Sequence, residues 1–99
     1  MVDKIIWSPL SKDDVANILF YLEEEWGIKV ANRFLEILDM IIQQIAKNPK
    51  QFPVIYHRKN VRKCVITKHN TLYYRYKSNR VDILRIFDTR QNPDKLNLE

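Results

Sequence analysis

Reactive and conformationally special residues are scarce in this 99-residue chain, which has one cysteine, one glycine, two histidines and four prolines. A lone cysteine excludes an intramolecular disulfide, and the expected setting is a reducing compartment, the cytoplasm. With Gly27 as the only glycine, no glycine-rich loop exists to cradle a nucleotide phosphate. His57 and His69 stand alone, and no spacing matches a zinc or EF-hand site, so neither a metal nor a cofactor is expected. Nucleophilic triads lack support, because Ser8, Ser11 and Ser78 fall at a strand end, a helix cap and a turn. No apolar run approaches the roughly 20 residues of a membrane-spanning helix, and the N-terminus lacks a signal-peptide pattern. No membrane partner is expected. The length suits one domain over residues 1–99, able to bury about two thirds of its unfolded surface.

What the chain has in excess is positive charge, and that charge is segregated. Residues 1–49 carry five Lys/Arg against eight Asp/Glu, a net of −3. Residues 50–99 carry twelve against four, a net of +8. Solubility alone does not require such a division, so the basic half points to a polyanionic partner, either nucleic acid or an acidic protein segment. Its field would speed association with an acidic partner and weaken as salt rises.

Residues 3–8, "DKIIWS", are β-branched and aromatic and read as a strand closed by Pro9. Ser11 with Asp14 three residues later resembles a capping arrangement, and Val15, Ile18, Leu19, Leu22 and Trp26 then keep helical spacing. Gly27 sits where a left-handed residue would end that helix. A second helix runs through Val30, Phe34, Ile37, Leu38, Ile41 and Ile45 until Asn48-Pro49 stops it. Glu23 to Glu25 oppose the helix dipole at the first helix's end and read as a solvated terminus.

Three strands follow, at about 61–67, 71–77 and 80–88, joined by "KHN" and "SN" turns. Strict alternation puts Cys64, Ile66, Leu72, Tyr74, Tyr76, Leu84 and Ile86 on one face. Lys63, Tyr73, Arg75 and Arg85 take the other, which Val81, Ile83 and Phe87 share. A last strand that is apolar on both faces belongs inside the sheet. The predicted fold is α+β with the order β-α-α-β-β-β. A helical hairpin packs on one face of a mainly antiparallel four-stranded sheet, and the other face stays partly open and basic.

The chemistry-bearing residues that remain are Tyr73, Tyr74, Arg75, Tyr76, Arg85 and Arg90. Arginine holds phosphates through paired hydrogen bonds, and tyrosine rings stack on unpaired bases. A metal-free ribonuclease needs a base, a cation for the phosphorane and an acid. Arg85 and Arg90 suit the cation role, and His69 or Asp88 proton transfer, provided the Asp88 pKa is strongly raised. The simpler alternative is that Asp88 and Arg90 pair with each other.

The order of elements and these residues together resemble the RelE/ParE superfamily, the toxins of bacterial toxin–antitoxin pairs, also known as plasmid stabilisation proteins. The resemblance spans nearly the whole chain. It rests on "WSPLSKDDVANI", "IAKNPKQFP", "TLYYRY" and "VDILRIFDTRQNP". It implies a toxin neutralised by a cognate antitoxin, an extended or helical segment that wraps it, and acting on DNA gyrase or on translation. RelE-like members cut ribosome-bound mRNA, whereas ParE-like members inhibit gyrase without cutting.

Carried over by position, Arg85 matches an arginine of the last strand and Arg90 the first arginine of the closing motif. Gln91 replaces that motif's second arginine, and Asp88 stands where ribonuclease-type members have histidine. Asn70 aligns with a family arginine, and Arg58, Lys59, Arg62 and Lys63 lie in the region of the family's lysines. A tentative catalytic set is therefore Arg85, Arg90, Asp88 and His69, and a binding set is Arg62, Lys63, Tyr73, Arg75 and Gln91. The alternatives are a ribosome-dependent mRNA endoribonuclease and a non-toxic binding module that keeps the toxin fold.

Overall fold

Pro9 decides where the first helix begins. Its fixed φ suits the first helical position, and its missing N–H would have lacked a partner there anyway. In the computed structural model, which describes residues 1–96 and 98 and Arg58 by its backbone alone, Ser8 is therefore the cap. Its hydroxyl accepts from Ser11 N at 3.0 Å. Ser11, expected to cap the helix, instead lies fully buried in the first turn and donates to Ser8 O at 2.8 Å.

The elements are β1 (Lys4–Trp7), α1 (Pro9–Trp26), α2 (Ile28–Lys47), β2 (Val54–Tyr56), β3 (Val61–Thr67), β4 (Asn70–Lys77) and β5 (Arg80–Asp88), with single 3₁₀ turns at His57–Lys59 and Pro93–Lys95. Gly27 separates the helices at φ 94°, a conformation that glycine adopts without a Cβ clash. Asn48 and Pro49 end α2 as the sequence suggests. No helix among the described residues is long and apolar enough to cross a membrane.

The sheet runs β1-β5-β4-β3-β2, with β1 parallel to β5 and the other pairs antiparallel. It has five strands rather than the expected four. The addition is β2, whose three residues are too few for alternation to reveal and whose register against β3 is irregular. β5 lies inside the sheet, as its two apolar faces require.

The core joins Phe34, Leu38 and Ile45 of α2 to Ile66, Leu72, Tyr74, Val81, Ile83 and Ile86 of the sheet. Val15, Ile18, Leu19 and Leu22 of α1 pack against it, whereas Trp26, read as part of the same stripe, is 68% exposed. Cys64 is a core residue, and burial pushes its thiol up to about 11.

The face assignment of β5 needs correcting. Tyr73 pairs with Arg85 but Tyr74 pairs with Ile83, so Leu84 is an extra residue with no partner on β4. Such a bulge resets the alternation by one. Val81 and Ile83 before it and Ile86 after it all enter the core, and Leu84 does not.

Tyr74 is fully buried and ties the helix exit to the sheet. Its hydroxyl donates to Pro49 O at 2.7 Å, and burial pushes its pKa up to about 12. Phe52 stacks edge-on against it, while Arg62 donates to Phe52 O at 2.7 Å and Lys50 O at 3.0 Å. Tyr74→Phe leaves the Pro49 carbonyl without that donor, so urea unfolding should show a loss of about 1–2 kcal/mol with an unchanged slope.

Candidate functional site

β5 outlasts its neighbour. β1 ends at Trp7, opposite Ile83, and the chain then turns into α1. Ser8 closes the junction by donating its N–H to Ile83 O at 3.0 Å and its hydroxyl to Leu84 O at 2.7 Å. Beyond that point the edge of β5 needs another partner, because a buried N–H without one is costly. Asp14 supplies it. One carboxylate oxygen accepts Ile86 N at 2.9 Å and Arg85 Nε at 2.7 Å, and the other accepts Arg85 Nη2 at 3.0 Å.

Both side chains of this pair are largely withdrawn from solvent, at 13% and 14% exposure. The Asp14 bond raises the Arg85 pKa further. Arg85 Nη1 donates to Lys95 O at 3.3 Å. Arg85 is therefore held by α1 rather than presented on the side of the sheet the helices leave open, as alternation had placed it. Its fork is already filled by a carboxylate. Sequence reasoning treated Asp14 as part of a cap and missed this partnership. The available signal was an acid one turn before Ile18, beside the helix's apolar stripe.

At the same end of the sheet, Asp88 and Arg90 form a second bidentate pair. Arg90 Nε and Nη2 donate to the two Asp88 oxygens at 3.0 and 2.8 Å, and Arg90 N also donates to one of them at 2.9 Å. The hydrogen bond from Arg90 leads in holding the Asp88 pKa below its ordinary 3.8, and His69 adds to the effect. An acid at neutral pH would need the opposite shift. His69 O accepts Thr89 N at 2.8 Å, and Gln91 N donates to Asp88 O at 3.0 Å, which closes the corner.

His69, Arg85, Asp88, Arg90 and Gln91 meet around one groove of about 660 Å³ between the helices and the end of the sheet. Its apolar wall comes from Ile18, Leu22, Phe34, Ile37 and Phe87, with Arg33 and Tyr21 at the sides. Tyr21 and Trp26, which sequence reasoning did not place at a site, also line it and stay 46% and 68% exposed.

The remaining candidates lie elsewhere. Arg62 secures the α2–β2 connection. Lys63 and Tyr73 face each other across β3 and β4, and the Tyr73 pKa is raised by burial first and by Tyr56 second. Arg75 donates to Lys59 O at 2.9 Å, and the Arg58 side chain is outside the described residues. No group of three or more His, Cys, Asp or Glu placed to hold a metal occurs among the described residues.

A family model described as the ParE toxin of the type II toxin–antitoxin system parDE matches residues 5–93. The fold is shared with the chromosomal ParDE TA system from P. aeruginosa, at 16% identity, TM-score 0.72, and 86% of this chain on 94% of that one. It is also similar to the YoeB/ParE toxin from Agrobacterium tumefaciens, at 17% identity, TM-score 0.61, and 86% on 97%. The YoeB-YefM complex from Staphylococcus aureus matches at 13% identity, TM-score 0.59, and 84% on 92%. No curated protein matches.

Asp14→Ala strands a buried guanidinium and an edge N–H, so denaturant unfolding should report a loss of about 3–5 kcal/mol. Asp14→Ala with Arg85→Ala should lose less than the sum of the two. A single-variant loss under about 1 kcal/mol, the range of exposed pairs, would mean the pair does not hold the junction. The Asp88 carboxyl carbon, followed by NMR, should titrate below 3.8 and move upward in Arg90→Ala. Because the folded value is depressed, the pair's stabilisation is present above the unfolded pKa and is lost as pH falls through the folded one.

Proposed function

We propose that this chain, which belongs to the ParE toxin family of type II toxin–antitoxin systems, is a toxin that binds DNA gyrase rather than cutting RNA, and that a cognate antitoxin neutralises it. It acts as a single domain in the cytoplasm. The observation that carries this reading is the Asp88–Arg90 pair. Phosphodiester cleavage through a 2′-hydroxyl asks for a base, an acid and a free cation. At this corner Asp88 is held ionised, Arg85 is closed by Asp14, and Arg90 already chelates Asp88. Three ions oriented by two bidentate pairs make a recognition surface and supply no proton pair.

The groove beside them suits the antitoxin. An amphipathic segment can set its apolar side chains against Ile18, Leu22, Phe34 and Ile37 and a carboxylate near Arg33 or Arg90. The related ParDE system and the YoeB-YefM complex support a protein partner of this kind. One observation favours the ribonuclease alternative, namely that His69 lines the groove together with Arg90.

The two readings separate in paired assays on the purified protein, gyrase supercoiling of relaxed plasmid and cell-free translation followed by primer extension. The expected result is inhibited supercoiling with intact message, relieved by the antitoxin. Ribosome-dependent cuts that vanish in Arg90→Ala would establish the nuclease instead. Silence in both assays would leave a toxin fold kept only for binding.

A further inference from the structure

Another concavity among the described residues lies at the opposite end of β4 and β5 from Asp88 and Arg90. From Asn70 to Lys77 the strand covers about 24 Å at the usual rise. This cleft, of about 610 Å³, has four cations on its walls, Lys59, Arg75, Lys77 and Arg80, against one acid, Asp82. Asn60 and Ser78 complete it, and no apolar side chain lines it.

The register sharpens the picture. Lys4 of β1 stands directly beside Arg80, and Arg80 directly beside Lys77, so three cations stand abreast on adjacent strands. Directly paired residues share a face, and like charges so placed repel. Arg80 is answered by Asp82, with Nε and Nη2 each 3.1 Å from a carboxylate oxygen. Among the described residues, Lys4 and Lys77 have no acid partner. Arg75 is oriented by its Nε bond to Lys59 O, which sets the guanidinium at the cleft wall.

We infer that this cleft is a sequence-independent site for the phosphodiester backbone of a nucleic acid. Lysine, arginine, serine and asparagine side chains are the usual phosphate contacts, and the cleft holds all four. An acidic protein segment is the poorer fit. Such a segment needs apolar side chains to pack against as it orders, and this cleft offers only the aliphatic stems of polar residues. The site lies apart from the groove assigned above to the antitoxin and does not depend on gyrase being the target. It also gives the +8 half of the chain a localised purpose.

Fluorescence anisotropy of labelled DNA and RNA oligonucleotides, titrated with the full-length protein, tests this without gyrase or ribosomes. DNA and RNA of equal length should bind similarly, and affinity should fall steeply with salt. Lys77 lines the cleft and Lys4 extends its rim beside Arg80, so in Lys4→Gln/Lys77→Gln two phosphate contacts should be lost. The drop in affinity between about 50 and 200 mM salt should then shrink by roughly tenfold. A helix-face control of equal charge, Lys12→Gln/Lys29→Gln, should follow the parent protein, and matched melting curves exclude misfolding. Each single variant should carry about half of the change. The inference is overturned if the control loses as much as the cleft variant, if the salt slope is unchanged, or if polyglutamate displaces the oligonucleotide as well as unlabelled oligonucleotide does.

Discussion

A single carboxylate joins the two layers of this protein where the sheet runs out of strands. Asp14, early in α1, completes the edge of β5 after β1 has ended and binds the guanidinium of Arg85 with both oxygens. Ser8 does the same for the two preceding carbonyls. Without these contacts, a strand in the middle of the sheet would have a bare edge facing a helix. The bulge at Leu84 belongs to the same device. It brings the core residues on both sides of it into one layer and leaves Arg85 within reach of the helix.

That arrangement shapes what the chemistry can be. Arg85, which looked free in the chain, is committed in the fold to Asp14, and Arg90 is committed to Asp88, as the simpler reading of the sequence had it. A carboxylate held below its ordinary pKa does not supply a proton at neutral pH, which bears on the Asp88 role alone. The two concavities also differ in kind. One has apolar walls beside an ionic corner, and the other is lined by polar and charged residues, with four cations to one acid. A folding protein segment suits the first, and a phosphate chain the second.

Much of the fold could be read from residue order because it follows local rules. Gly27 marks the break between helices, Asn48-Pro49 ends the second, and the limits of β3 and β5 fall where alternation places them. Ser11 has the spacing of a cap, but Pro9 starts the helix as well as ending the strand, and that makes Ser8 the cap. Trp26 keeps helical spacing, yet it is exposed. β2 has only three residues and is a strand only because β3 lies beside it.

By itself, the sequence determined the order of the elements other than β2, the α+β class, the family and the accumulation of positive charge in the second half, since each rests on spacing or composition along the chain. Tertiary structure alone decided that Arg85 is engaged by Asp14 and which face each residue of β5 takes. The pairs that settle it lie 71 residues apart, as for Asp14 and Arg85, or on strands whose register a single bulged residue shifts. Periodicity names the face a residue would occupy in a perfect strand, and one extra residue is enough to reverse it.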